Sequence, residues 1–161
     1  MSNYNLRRYK QSDINTIITL IKTFIDEERI EGYSNYFKGL DFSEEMLYKE
    51  LTSQISNPLF FCNIVETTDG TIFGGLSADI VEFVFSHQRL AQDRLFYISP
   101  GHVNLSAVFA LIESYKDWAK ANHAIEIQLR NSSGFRQNAF GVLANRCGLK
   151  QFETGYSMRL E

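Results

Sequence analysis

An apolar strand, Leu95-Phe96-Tyr97-Ile98, that runs through Ser99-Pro100-Gly101-His102 straight into a long amphipathic helix is the feature that most narrows what this chain can become. Strand, tight loop and helix form an arrangement suited to anions. The helix N-terminus leaves backbone N–H groups unpaired, and the aligned peptide dipoles add partial positive charge there. Phosphate cradles favour glycine because the backbone must approach the anion closely. Beyond Gly101 this loop instead offers Val103, Asn104, Leu105 and Ser106.

The 161 residues, 44% hydrophobic and 14% aromatic with two prolines, suffice for one core, so residues 1–161 are expected to form a single domain. Net charge is −3 and the 16 Lys and Arg are scattered, which argues against a nucleic-acid partner. Acidic residues crowd the early segment at Asp26, Glu27, Glu28, Glu31, Asp41, Glu44, Glu45 and Glu50. They read as a solvated helix face or as a region favouring a cationic amine. Cys62 and Cys147 each sit inside an apolar run and read as core side chains, which fits a reducing, cytoplasmic location. The N-terminus has no signal-peptide pattern, and no window approaches ~20 apolar residues, so no membrane association is expected. His87 and His123 lack ligand spacing, and no metal is expected.

Along the chain, Tyr4 to Tyr9 reads as a strand, and Ser12 or Asp13 as the cap of a helix carrying Ile14, Ile17, Ile18, Ile21, Phe24 and Ile25 at helical spacing. A polar connection from Gly32 to Asp41 leads to a second helix opened by Ser43-Glu44-Glu45, with Met46, Leu47, Leu51 and Ile55 as its buried stripe. Leu59 to Glu66 and the run from Thr71 form a hairpin about an Asp69-Gly70 turn, and Gly74-Gly75 marks a bulge or a close approach. Ala78 to Phe85 continues extended. After Ser86 to Gln92 come the opening strand and a helix from about Asn104 to Ala121, its apolar face made of Leu105, Val108, Phe109, Leu111, Ile112, Tyr115, Trp118 and Ala119. Ala124 to Leu129 reads as a fifth strand, Gln137 to Cys147 as a helix stopped by Gly148, and Gln151 to Leu160 as an edge strand. The order is β-α-α-β-β-β-α-β-α-β, a mixed α/β (α+β) sheet with helices on its faces.

This order resembles the GNAT superfamily of acetyl-CoA-dependent N-acetyltransferases over nearly the whole chain. From Glu82-Phe83-Val84-Phe85 through Arg89-Leu90-Ala91, Asp93 and Tyr97-Ile98-Ser99-Pro100-Gly101-His102, it is similar to a GNAT-like group often carried by bacteriophages. Asn138-Ala139 to Leu143 and Arg146-Cys147-Gly148-Leu149 resemble the family's C-terminal helix. The resemblance implies a mostly antiparallel central sheet and acetyl-CoA as co-substrate. The backbone of Tyr97, Ile98 and Ser99 would bond the pantetheine arm. The amides from Val103 through Asn104, Leu105, Ser106 and Ala107 to Val108 would hold the pyrophosphate, with Asn138 a further cofactor contact. The family's Arg or Gln falls on Val103 and its glycines on Asn104, Leu105, Ser106 or Val108, which predicts weakened anion binding, softened if a protonated His102 stands in. The usual acid, a Tyr on the last helix, falls on Ala144.

Within that resemblance Glu82 is the candidate general base, with Asp93 and Asp79 as second choices. The structural alternatives are a solvated strand-edge carboxylate for Glu82 and a turn-bonding role for Asp93. Tyr33, Tyr36 and Phe37 read as acceptor-side contacts or as loop anchors. Two functions follow. One is transfer of an acetyl group to a primary amine of a small molecule or protein. The other is a catalytically silent phage virion, assembly or host-interaction protein that would reside in the host cytoplasm or the virion.

Overall fold

The computed structural model describes residues 3–31, 41–99, 104–131 and 137–152. Its elements are β1 (Tyr4–Arg8), a 3-10 turn (Gln11–Asp13), α1 (Ile14–Glu31), α2 (Glu44–Ile55), β2 (Phe60–Thr67), β3 (Ile72–Glu82), β4 (Arg89–Ile98), α3 (Leu105–Ala121), β5 (Ala124–Gln128) and α4 (Gln137–Arg146). The expected order is present up to α4. The final strand expected over 151–160 falls almost wholly outside the described residues.

The five strands lie in the order β1-β2-β3-β4-β5, with every pair antiparallel except β4–β5. The β2–β3 hairpin closes on Gly70, whose φ of 88° is open to glycine at little cost. Among the described residues, three irregularities interrupt the ladder, one of them in the β4–β5 pairing, where Ile125 is the extra residue opposite Arg89–Leu90. Phe73 is the extra residue opposite the Val65–Glu66 step, and Arg94 is the extra residue opposite Ser77–Ala78.

The sheet is covered on both faces. On one, the Ile14, Ile17, Ile18, Ile21 and Ile25 stripe of α1 and Leu51 of α2 pack on Cys62, Ile64, Ile72 and Tyr97. On the other, Ala107, Val108, Leu111, Ile112, Tyr115 and Ala119 of α3 pack on Phe61, Val65, Phe73, Leu76, Ala78 and Ala91. Cys62 and Cys147 are both buried and unbridged.

Several expectations are corrected. Met46 is 73% exposed, and Gln54 takes its place inside, because its side chain bonds to Tyr9 and Glu50. Leu105 is also exposed, lying in the first turn of α3 beyond the sheet edge of the core. Val84 and Phe85 are not strand but the exposed tip of the β3–β4 hairpin, where Phe83 N donates to Gln88 O at 3.0 Å and Ser86 N to Phe83 O at 3.2 Å. The opening of α1 is set by Lys10: Asp13 N donates to Lys10 O at 2.9 Å, and Asp13 Oδ2 accepts from Lys10 N at 2.7 Å.

Asp13 also takes both arms of Arg7, at 2.7 and 3.1 Å, while Arg7 reaches Glu66 Oε2 at 2.7 Å. The Arg7 guanidinium holds the Asp13 carboxyl below the usual carboxylate range, against the opposing effect of burial. A depressed native pKa gives stability that is complete above the unfolded value of about 4 and is lost as pH falls through the native one. Asp13→Asn is therefore expected to cost about 1–2 kcal/mol at pH 7, with its gap from the wild type closing progressively below about pH 4 in urea titrations.

Candidate functional site: the opening between two strands

Strands β4 and β5 pair only from Arg89↔Ala124 to Gln92↔Gln128. From Asp93 onward, among the described residues, β4 has a strand partner on the β3 side alone. The two strands thus part at the Arg94 bulge and leave a wedge along the second half of β4.

Strand alternation fixes what faces that wedge. Ser99 N donates to Phe73 O at 2.7 Å, so Ser99 and, two residues back, Tyr97 turn their backbone groups toward β3. Phe96 and Ile98 turn theirs the other way, into the wedge. Of Tyr97, Ile98 and Ser99, only Ile98 presents its backbone to the opening, and Phe96, which the sequence reading missed, joins it. Phe96 is anchored by its ring, which meets Phe140 of α4 edge-on at a centroid distance of 6.2 Å.

At the far end of β4 stands the N-terminus of α3. Asn104 caps it: its Oδ1 accepts from Ala107 N at 3.2 Å and its carbonyl from Val108 N at 3.0 Å. That leaves the amides of Leu105 and Ser106 as the first-turn donors, on residues that are both exposed. Ala107 and Val108 are buried against the sheet. Val103 and His102 lie outside the described residues, as do Tyr33, Tyr36 and Phe37. Asn138 is exposed in the first turn of α4, and Ala144 lies on the same helix.

The carboxylates separate along the strands. Glu82 pairs with Arg89 at the fully laddered end of β3, exposed, about 10 Å along the strand from Asp79. Asp79 and Asp93 sit where the wedge begins, facing Gln92 and Ala78 respectively. Ala78 packs with α3, so Asp93, directly opposite it, shares the α3 face, while Asp79 lies on the α1–α2 face. Arg94 Nη2 meets Asp79 Oδ2 at 2.7 Å, and no described residue bonds the buried Asp79 Oδ1. The same holds for Ser77 Oγ and Tyr97 Oη, which line a small cavity beneath Ile17 and Leu51 on that face. Burial drives the Tyr97 phenol well above its ordinary pKa, so it stays protonated.

Asp93 is 5% exposed. Its carboxylate accepts from Arg130 N at 3.0 Å and Arg130 Nε at 3.2 Å, and Arg130 Nη2 donates to its carbonyl at 2.7 Å. Burial pushes the Asp93 carboxyl up, with the charge and bonds of Arg130 pulling it back. His87 and His123 are exposed and apart from the wedge. Among the described residues, no helix is long and apolar enough to cross a membrane, and no three His, Cys, Asp or Glu side chains are grouped to hold a metal.

No protein-family model and no curated protein sequence matches the chain. Solved structures do. The chain is similar to glucosamine-6-phosphate N-acetyltransferase from Arabidopsis thaliana, at 14% identity and TM-score 0.72, covering 99% of this chain and 100% of that one. It is similar to a predicted acetyltransferase with acetyl-CoA from Clostridium acetobutylicum, at 13% identity and TM-score 0.69, covering 97% and 96%. It is also similar to an aminoglycoside acetyltransferase from an uncultured soil metagenomic sample in complex with sisomicin, at 16% identity and TM-score 0.66, covering 99% and 97%. These matches over nearly the whole chain, with the mostly antiparallel sheet flanked by helices, give this chain the fold of the GNAT acetyltransferases.

Proposed function

We infer that this protein transfers an acetyl group from acetyl-CoA to the amine of a small molecule. The observation that carries the reading is the edge of β4: among the described residues, the backbone groups of Phe96 and Ile98 have no strand partner on the wedge side, and the strand leads toward the first-turn amides of Leu105 and Ser106. Acetyl-CoA supplies an activated thioester with a stable thiolate as leaving group. The chain supplies a strand edge for the amide-bearing pantetheine arm and helix-end donors for the pyrophosphate. Leu105 and Ser106 carry Cβ atoms and Asn104 occupies the Ala107 amide, so the anion is held by fewer donors than a glycine-rich loop offers. The strand edge takes the larger share of binding. Neighbours with this fold include enzymes named for glucosamine 6-phosphate and aminoglycosides, which supports a small amine as acceptor.

For the base, position favours Asp79 over Glu82. Asp79 stands where the wedge begins; Arg94 holds its Oδ2, and no described residue bonds its buried Oδ1. Glu82 is three residues farther, on the laddered side of that point. Asp93 has its side chain committed to Arg130. In direct attack, Asp79 receives the amine proton itself or through one water.

Titration calorimetry with acetyl-CoA tests the binding reading, with heat and a thermal shift expected at or below millimolar cofactor. Asp79→Asn is then expected to lower kcat/KM by about 100-fold or more on an amine panel, with Glu82→Gln within a few-fold of wild type. The reverse ranking returns the role to Glu82. A chain that binds no acetyl-CoA is the silent protein, for which Ala144 at the place of the acid is the supporting residue.

A further inference from the structure

Among the described residues, the side chain that stands at the apex of the wedge is that of Arg130. Arg130, two residues past the end of β5, folds back on β4, and besides its three bonds to Asp93 it meets Gln92. The side-chain oxygen of Gln92, turned toward the guanidinium, accepts from Nη1 at 2.6 Å and from Nη2 at 3.0 Å. Gln92 and Asp93 are consecutive on a strand, so their side chains leave by opposite faces. A planar fork that reaches both, and the Asp93 carbonyl as well, stands across the open edge of β4 where its pairing with β5 ends.

We propose that Arg130 is the floor of the acyl-binding cleft and limits the acyl group to about the size of acetyl. The inference rests on acyl-CoA lying along β4. From Ile98 to Asp93 is five residues, about 16 Å of strand edge, and there the guanidinium closes the run. The side chain of Arg130 is 35% exposed and that of Asp93 7%, so the arginine meets the cleft while its anchor stays inside. A longer alkyl chain must displace a fork whose donors are matched to three oxygens, leaving the buried Asp93 carboxylate without its ion pair and with the Arg130 backbone amide alone from that residue. Acetyl stops short of that contact.

The test is calorimetric affinity for acetyl-CoA, butyryl-CoA and hexanoyl-CoA, which needs no acceptor and is blind to a purely structural clasp. Wild type is expected to favour acetyl-CoA over hexanoyl-CoA by at least tenfold. In Asp93→Asn/Arg130→Ala, which removes the guanidinium without stranding a carboxylate, the preference should shrink to within about twofold or invert. Arg130→Gln, shorter but still a donor, should fall between them. Equal affinities in wild type overturn the proposal without any variant. So does an unchanged preference in a variant whose circular dichroism and melting curve show it folded. If wild type binds no acyl-CoA, the transferase reading falls and takes this inference with it. Binding without discrimination removes the inference alone.

Discussion

Arg8→Met is expected to lower the unfolding free energy by about 2–4 kcal/mol, or roughly 5–15 °C in Tm. The guanidinium reaches from β1 to the end of α2, where Nη2 donates to the carbonyls of Gln54, Ile55 and Asn57 at 2.9, 3.1 and 3.3 Å and Nη1 to that of Phe60 at 3.0 Å. The Gln54 and Ile55 carbonyls are in the last turn of α2, where a helix terminus leaves carbonyls without i+4 partners, and the positive charge also faces the negative end of the helix dipole. Methionine keeps the apolar stem and deletes every donor, so the loss measures the bonds rather than a cavity. Arg8→Lys keeps the charge but not the fork and should fall between the two. Urea unfolding followed by circular dichroism decides it. A loss below 1 kcal/mol for Arg8→Met would mean that water serves those carbonyls equally well.

Gly74→Val should cost as much, about 2–4 kcal/mol, by a different route. A Cβ at Gly74 would overlap Ile98 Cδ1 and lie 3.0 Å from Tyr97 O and 3.1 Å from Val65 Cγ2. The Ile98 methyl can swing away. The Tyr97 carbonyl is backbone in the neighbouring strand, and moving it shifts the β4 edge itself. Gly74→Ala should show part of the loss, and in both variants acetyl-CoA affinity should fall together with Tm. A variant that unfolds earlier yet binds as wild type would separate the strand edge from the binding site.

How much of this was open to a reader of the sequence depends on how local each signal is. The α1 isoleucines, the Asp69-Gly70 turn, the Gly148 stop and, Leu105 apart, the face of α3 are set by spacing or by a single special conformation, and each element stands where its pattern puts it. The start of β4 was hidden because Arg89, Gln92, Asp93 and Arg94 look like loop. They belong to a strand because Asp79 and Arg130, distant in sequence, satisfy Arg94 and Asp93. Arg130 itself lies in Leu129-Arg130-Asn131, which carries no motif, and its partner is 37 residues earlier. The acidic candidates were visible by type, but ranking them required the register that sets Glu82 beyond the point where the strands part. Backbone direction at Phe96 and Ile98 is invisible in residue type altogether.

The strand order carries a consequence for how such a sheet assembles. Spatial neighbours among the five strands are also successive in sequence, so no strand has to thread between two already joined. The β2–β3 hairpin closes a short loop, β4 adds by a second hairpin, and only β1 and β5 wait on connections that include helices. Those two late arrivals are the strands beside which Arg8 and Arg130 make their long-range bonds. The two arginines tie the first and the last of the described strands to distant parts of the chain.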